Sequence, residues 1–404
     1  MAQICDMPEK WERTGFATYN QTELDIIAKS CYLFKGSLYL HEGYTGRFYL
    51  PNVRHIVGDL GLYSLDRTDD GRPGPKLTSF EMPDLETVKG HVSLLGMSSL
   101  KSISMPKLHS VGGQVGADAA EEVDLRSLET AKYLDIGGRL SNLRLDALQE
   151  AENHLVISKE CGEVPPTPAL DISLPSLTTA GGIQLKGRFS GVAMPQLSNI
   201  SQGYSLWRSL ELDTCGGPPF NVSLPKLAHV TMDIDISGGI RNFSMPSMKN
   251  MTTQFLLNTT EQLDLTLPFE EVQSVKLYGN LKSIEFPKLN ATESIKVSAS
   301  VPFDCKALKK SVAPAIKGEE PWHNECTAPA GPGLSRGAKI GIGVGVGVGG
   351  LLVTAAGVWF FLRRKKQTKR LKSESITHLG DMPPTYAESR NHDRPPEYAS
   401  ADAR

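Results

Sequence analysis

Residues 100–111 read LKSISMPKLHSV, and the same pattern recurs at 77–88 (LTSFEMPDLETV), 189–200 (FSGVAMPQLSNI), 240–251 (IRNFSMPSMKNM) and 281–292 (LKSIEFPKLNAT). The shared form is apolar-x-x-apolar-x-apolar-Pro-x-apolar. LPNV (50–53), ISLPSLTTA (172–180), VSLPKLAHV (222–230) and LTLPFEEV (265–272) are partial copies, and VDLRSLETA (123–131) and LRLDALQEA (143–151) keep the pattern without Pro. After each comes a short apolar alternation that often closes on Gly, as in LDIGG (134–138), IQLKG (183–187), IDISGG (234–239) and VKLYG (275–279). The anchor prolines lie 23 apart (Pro83 to Pro106), 20 (Pro175 to Pro195), 21 (Pro225 to Pro246) and 19 (Pro268 to Pro287).

A period near 20 residues is that of a solenoid. The alternating pieces are too short to be stable alone. Stacked turn on turn, they form parallel ladders and bury one continuous apolar core. Gly permits the tight corner. Pro ends pairing and fixes φ at the next corner. An antiparallel sandwich with regular turns does not account for a fixed Pro offset. The expected fold is therefore mainly β: a capped, right-handed parallel β-solenoid over residues 37–302.

Residues 1–36 form an N-terminal cap, in which Thr22-x-x-Asp25 opens a short helix ending near Ser30 between Cys5 and Cys31. Residues 303–326 close the other end, covering apolar core and an open sheet edge. Residues 327–339 are a Pro/Gly linker. Insertions stand at Asp66–Lys76, Lys159–Ala169 and Asp213–Phe220, the last two each carrying Cys followed by Gly and Pro.

The six cysteines, Cys5, Cys31, Cys161, Cys215, Cys305 and Cys326, all lie before residue 340. An even number without C-x-x-C spacing indicates disulfides formed in an oxidising compartment. Six cysteines allow about 15 pairings, of which nearest neighbours along the chain give Cys5–Cys31, Cys161–Cys215 and Cys305–Cys326. N-glycosylation sequons at Asn20, Asn199, Asn221, Asn242, Asn250, Asn258 and Asn290 confine themselves to the same region.

Residues 340–362 (IGIGVGVGVGGLLVTAAGVWFFL) carry no charge and no Pro, and Arg363, Arg364, Lys365 and Lys366 follow directly. This reads as a transmembrane helix with the N-terminal domain extracellular and the C-terminal tail, 363–404, cytoplasmic, at the plasma membrane. Gly345-x-Gly347-x-x-Gly350 matches a dinucleotide fingerprint, but no preceding strand or suitably placed acidic residue supports that reading. Gly341, Gly345 and Gly349 fall on one face and suit a homodimer through the span. The first residues hold no apolar h-region, so the expected start lies upstream, with the signal peptide missing.

The tail is polar and expected to be disordered. It contains two P-P-x-Y motifs, Pro383-Pro384-Thr385-Tyr386 and Pro395-Pro396-Glu397-Tyr398, which are ligands for WW-domain proteins. With Lys365, Lys366, Lys369 and Lys372 nearby as ubiquitin acceptors, the expected partner is a HECT-type ubiquitin ligase.

Net charge is −2, so nothing indicates nucleic acid. No H-E-x-x-H or metal-ligand spacing occurs, and no cofactor is expected. Asp233 and Asp235 (MDIDIS) share one strand face and could form the carboxylate pair of a polysaccharide-acting enzyme; a solvated outer face is the simpler reading. The expected function is non-enzymatic, in cell-wall organisation or sensing. A receptor or adhesin for a specific carbohydrate, such as a wall glycan, or for a protein ligand is the alternative.

The Cys5…Asp25…Cys31 head, Gly36-x-Leu38-x-Leu40, LPNVRHIVGDL (50–60), the repeated [LM]P-x-L units and the closing FDC…C together resemble the fungal receptor-L-domain proteins of the cell-wall-organisation and sporulation-specific family, over residues 4–326. The resemblance implies a receptor L-domain β-helix with leucine-rich-repeat-like turns and a role in surface or wall integrity. Members are usually GPI-anchored, whereas a basic stop and a long segment follow the apolar run here.

Overall fold

The turn between faces follows from one short sequence. In Met82-Pro83-Asp84-Leu85 the Leu85 N–H donates to the Met82 carbonyl at 3.4 Å, and both apolar side chains are buried. Pro suits the second position of such a β-turn because its ring presets φ there. The same bond closes Met105 to Leu108 (3.1 Å), Met194 to Leu197 (3.3 Å) and Leu224 to Leu227 (3.3 Å). It also closes Leu125 to Leu128 (3.0 Å) and Leu145 to Leu148 (3.2 Å), where Arg126 and Asp146 stand in the Pro position. The two buried apolar residues set the turn, and Pro reinforces it.

The computed structural model describes residues 3–6, 15–62, 74–162, 168–201, 208–317 and 324–329. They form a parallel β-solenoid of about 12 turns. Each rung contributes a short corner strand, such as Thr87–Val88, and then a longer strand to one long sheet. Its order in the main part is Leu60–Gly61, Val92–Leu94, Ser110–Ala117, Thr130–Gly138, Glu150–Lys159, Ile183–Gly187, Leu210–Thr214, Ile234–Gly238, Asn250–Thr266, Glu271–Glu285, Ala291–Ala299 and Asn324–Thr327, every pair parallel. The strands before the Pro turns build two further parallel sheets. One runs from Thr45–Tyr49 to Asn142–Arg144, the other from Leu170–Ser173 to Ile240–Ser244.

Alternation decides which side chains enter the core. In the long sheet Leu134, Ile136, Leu155, Ile157, Ile183 and Leu185 point inward and are fully buried. Phe48 stacks on Phe80 with centroids 4.3 Å apart and planes at 9°, so neighbouring rungs repeat the same contact in register.

Both ends are closed. Helix α1 (Gln21–Ser30) packs Leu24 and Ala28 into the first rungs. Its N-cap is Asn20, whose side chain accepts from the Glu23 N–H at 3.2 Å, two residues earlier than the Thr22 box anticipates. Helix α2 (Cys305–Val312) is capped by Asp304, and Asn324–Thr327 pairs on the last long strand. Disulfides join Cys5 to Cys31, Cys161 to Cys215 and Cys305 to Cys326. The middle one ties loops two rungs apart.

The single-span plasma-membrane location with an extracellular domain and cytoplasmic tail needs correction. Among the described residues no helix is long and apolar enough to cross a membrane. The longer of α1 and α2 has 10 residues, and at ~1.5 Å per residue it reaches about half of a hydrocarbon core. Residues 340–362, the glycines 341, 345 and 349, and the tail with Lys365, Lys366, Lys369, Lys372, Tyr386 and Tyr398 lie outside the described residues.

Gly279 shows how tightly the corner is made. Its φ is +100°, and a Cβ there would lie 1.9 Å from the Thr259 carbonyl oxygen. Gly279→Ala is expected to cost about 2–4 kcal/mol, from left-handed strain and overpacking. Gly46 has φ +88° but open space around it, so Gly46→Ala should cost only about 1–2 kcal/mol. Denaturant unfolding of the two variants checks the difference.

Candidate functional site: the outer face of the long sheet

The outward residues of the long sheet stand in straight rows, because parallel rungs keep register. The central row runs Gly61, Ser93, Gly116, Asp135, Val156, Gln184, Glu211, Asp235, Leu256, Lys276, Lys296 and Glu325. Two polar clusters lie on it, and they differ in how fully their groups are satisfied.

The first cluster includes the carboxylates singled out from sequence. Arg208 bridges Glu211 (3.3 Å) and Asp235 (3.0 Å), Lys186 meets Glu211 at 3.1 Å, and Gln184 Nε2 donates to Glu211 at 2.7 Å. Burial pulls the Glu211 carboxyl up, but the bonds from Gln184 and Lys186 and the nearby positive charges outweigh it, and the net direction is down. Asp235 goes the other way: burial raises it, Arg208 opposes, and Glu211, Asp213 and Asp233 add to the rise. Asp233 accepts from the Gln254 N–H at 2.9 Å. Asp233 and Asp235 are therefore each committed to a structural partner, in a half-buried network rather than a freely solvated face.

The second cluster was not visible from sequence. Gln114, Tyr133 and His154 are neighbours in one row, and the Tyr133 and His154 rings meet edge-on at 4.9 Å and 70°. Asp135 stands in the adjacent row between Gly116 and Val156. Burial raises the Asp135 carboxyl, His154 opposes and Asp118 reinforces the rise; burial lowers His154. Asp118 takes the Gly96 N–H on both oxygens, at 2.7 and 2.8 Å. Asp135 itself makes no hydrogen bond or ion pair among the described residues. The missing signal is a register shift. Ala131 pairs with Ala151 but Tyr133 with His154, so one extra residue in the second strand swings His154 beside Tyr133.

Elsewhere, a groove of about 450 Å³ lies between Lys282–Pro287 and α2, with Phe286, Phe303 and Leu308 among its walls. Among the described residues no three His, Cys, Asp or Glu side chains are placed to hold a metal. The sequon residues Asn20, Asn221, Asn242, Asn250, Asn258 and Asn290 are exposed and Asn199 is half-buried. Asn242 Nδ2 donates to Asn221 Oδ1 at 2.9 Å across adjacent strands.

These features define a disulfide-tied parallel β-solenoid that presents a broad polar sheet face. The chain is similar to Protein ecm33 of Aspergillus fumigatus, with 22% identity over 314 residues, which cover 70% of this chain and 73% of that protein. This likeness supports the resemblance to the fungal cell-wall-organisation family. No family model and no solved structure matches the chain.

Asp135 makes a sharp prediction about pH. Its folded pKa is raised above 3.8, so its stabilising contribution is whole below that value and falls as pH rises through the folded pKa. Asn cannot ionise. Asp135→Asn is therefore expected to be more stable than the parent at pH 7, with the gap closing at pH 3. Thermal unfolding at the two pH values checks it; a less stable variant at pH 7 would contradict the assignment.

Proposed function

We propose that the chain is a cell-wall-associated surface protein that acts through its folded surface, without catalysis, in organising the wall. The observation that carries this reading is the similarity to Protein ecm33 over 70% of the chain. The long sheet is consistent with it, because Asp233 and Asp235, the carboxylates best suited by sequence to acid–base work, are spent on Gln254 and Arg208. The exposed sequons fit a glycosylated surface protein.

The test has two parts. The native protein is expected to co-fractionate with wall polysaccharide, and cells lacking it should become sensitive to wall-perturbing dyes. A gene carrying Asp233→Asn and Asp235→Asn should restore resistance fully, provided the product folds by circular dichroism. Turnover of wall glucan or pectin by the purified chain, lost in that double variant, would replace the structural reading with an enzymatic one. A receptor or adhesin role is the second reading, favoured by the half-buried Asp135 carboxylate, which no described residue bonds.

A further inference from the structure

We propose that the outer face formed by Gln114, Tyr133, Asp135 and His154 binds a neutral, hydroxyl-rich polysaccharide chain; this rests on the wall-associated reading and names the ligand of the same sheet. Four observations converge on it.

The first is unmet bonding. Asp135 is half-buried yet bonded to no described residue, and neither the Tyr133 hydroxyl nor the Gln114 side-chain amide has a bonded partner among them. A half-buried carboxylate without donors is costly, and hydrogen bonds to a charged acceptor are the stronger kind. The adjacent hydroxyls of a pyranose supply donors in pairs to such a carboxylate. The contrast lies three and four rungs on in the same row, where Glu211 and Asp235 are held by Arg208.

The second is shape. Gly116 lies beside Asp135 in the central row, and Gly137 two residues on beside Ser158, so neither position projects a side chain of its own next to the carboxylate. Both glycines are buried: the Ser158 hydroxyl lies 2.7 Å from where a Cβ at Gly137 would stand, and the Gln114 amide and the Leu95 side chain lie 3.2 and 3.3 Å from one at Gly116, so these neighbouring groups line the face beside Asp135. Tyr133 and His154 form one wall of this trough and Val156 one end. Aromatic and aliphatic carbons there suit the C–H face of a sugar ring.

The third is sign. Asp118 and Asp135 face the trough, which disfavours a polyanion and admits a neutral chain. The fourth is exposure. No sequon falls between residues 21 and 198, while six of the seven lie at Asn199 or beyond. The trough thus sits in the stretch of the solenoid, between Asn20 and Asn199, that carries no sequon.

The experiment is calorimetric titration of the purified full chain with soluble β-1,3-glucan and with chitin oligomers, with polygalacturonate and chitosan as charged controls. A neutral polymer should bind and polygalacturonate should not. Tyr133→Ala and Asp135→Asn should each weaken binding at least about tenfold, the scale of one lost charge-assisted bond. Lys276→Ala, six rungs from Asp135 along the row, should leave it unchanged. Circular dichroism checks the fold of each variant, and Asp135→Asn is expected to be the more stable protein, so its loss would not reflect unfolding. Failure of every neutral polymer to bind, parental affinity in both site variants, or binding of chitosan alone that salt abolishes would each overturn the site. If the native protein still co-fractionates with the wall in those cases, the wall-associated reading survives; if it does not, that reading falls with it.

Discussion

The interaction on which the structure depends is the in-register parallel pairing of each rung with the next. An isolated rung has a strand of a few residues and cannot bury its apolar side. Paired on both sides, its inward residues meet the equivalent residues of two neighbours, as Leu134 does with Val115 and Leu155. The hydrogen-bond ladder holds register, and register keeps apolar rows over apolar rows. Every other device serves that ladder. The Pro turns bring the chain round at a fixed offset, the corner glycines allow backbone to pass close to backbone, and α1 and α2 stop the stack at ends that would otherwise expose sheet edge.

The same constraint makes the outer face. Because inward residues repeat from rung to rung, outward residues are aligned as well, and side chains far apart in sequence become neighbours about 4.8 Å apart. Where such rows carry opposite charges they neutralise one another, as Arg208, Glu211 and Asp235 do. Where a row places an acid between glycine and valine, as at Asp135, no described residue bonds it.

Much of the fold was legible because its determinants are local. The repeated apolar-Pro-x-apolar turn, the Gly corner and the alternating strand are each readable within about a dozen residues. The Pro-free copies at Leu125–Leu128 and Leu145–Leu148 were legible too, because the buried pair rather than the ring sets the turn. Non-local features were harder. The extra residue that brings His154 beside Tyr133 leaves no mark on the hydrophobic period, so the second cluster stayed hidden. Lys159, which sequence places at the start of an insertion, ends a strand with its side chain buried and its Nζ donating to the Leu140 carbonyl at 2.5 Å. Charge at that position reads as solvent-facing until the partner carbonyl, nineteen residues back, is known. The Asp233 and Asp235 pair shows the converse: spacing gave the shared face, but only the stack supplied Arg208 and Gln254 as the groups that engage it.

The rung order is the premise for every contact on the outer face, and a single distance tests it. Asp135 and Lys276 are six parallel steps apart in the central row, which at about 4.8 Å per step is roughly 29 Å. Electron–electron double resonance between spin labels at these two positions, in a chain with its three disulfides intact, should give a single narrow distribution near that value. A separation well outside it, or a broad or two-peaked distribution, would contradict an in-register stack.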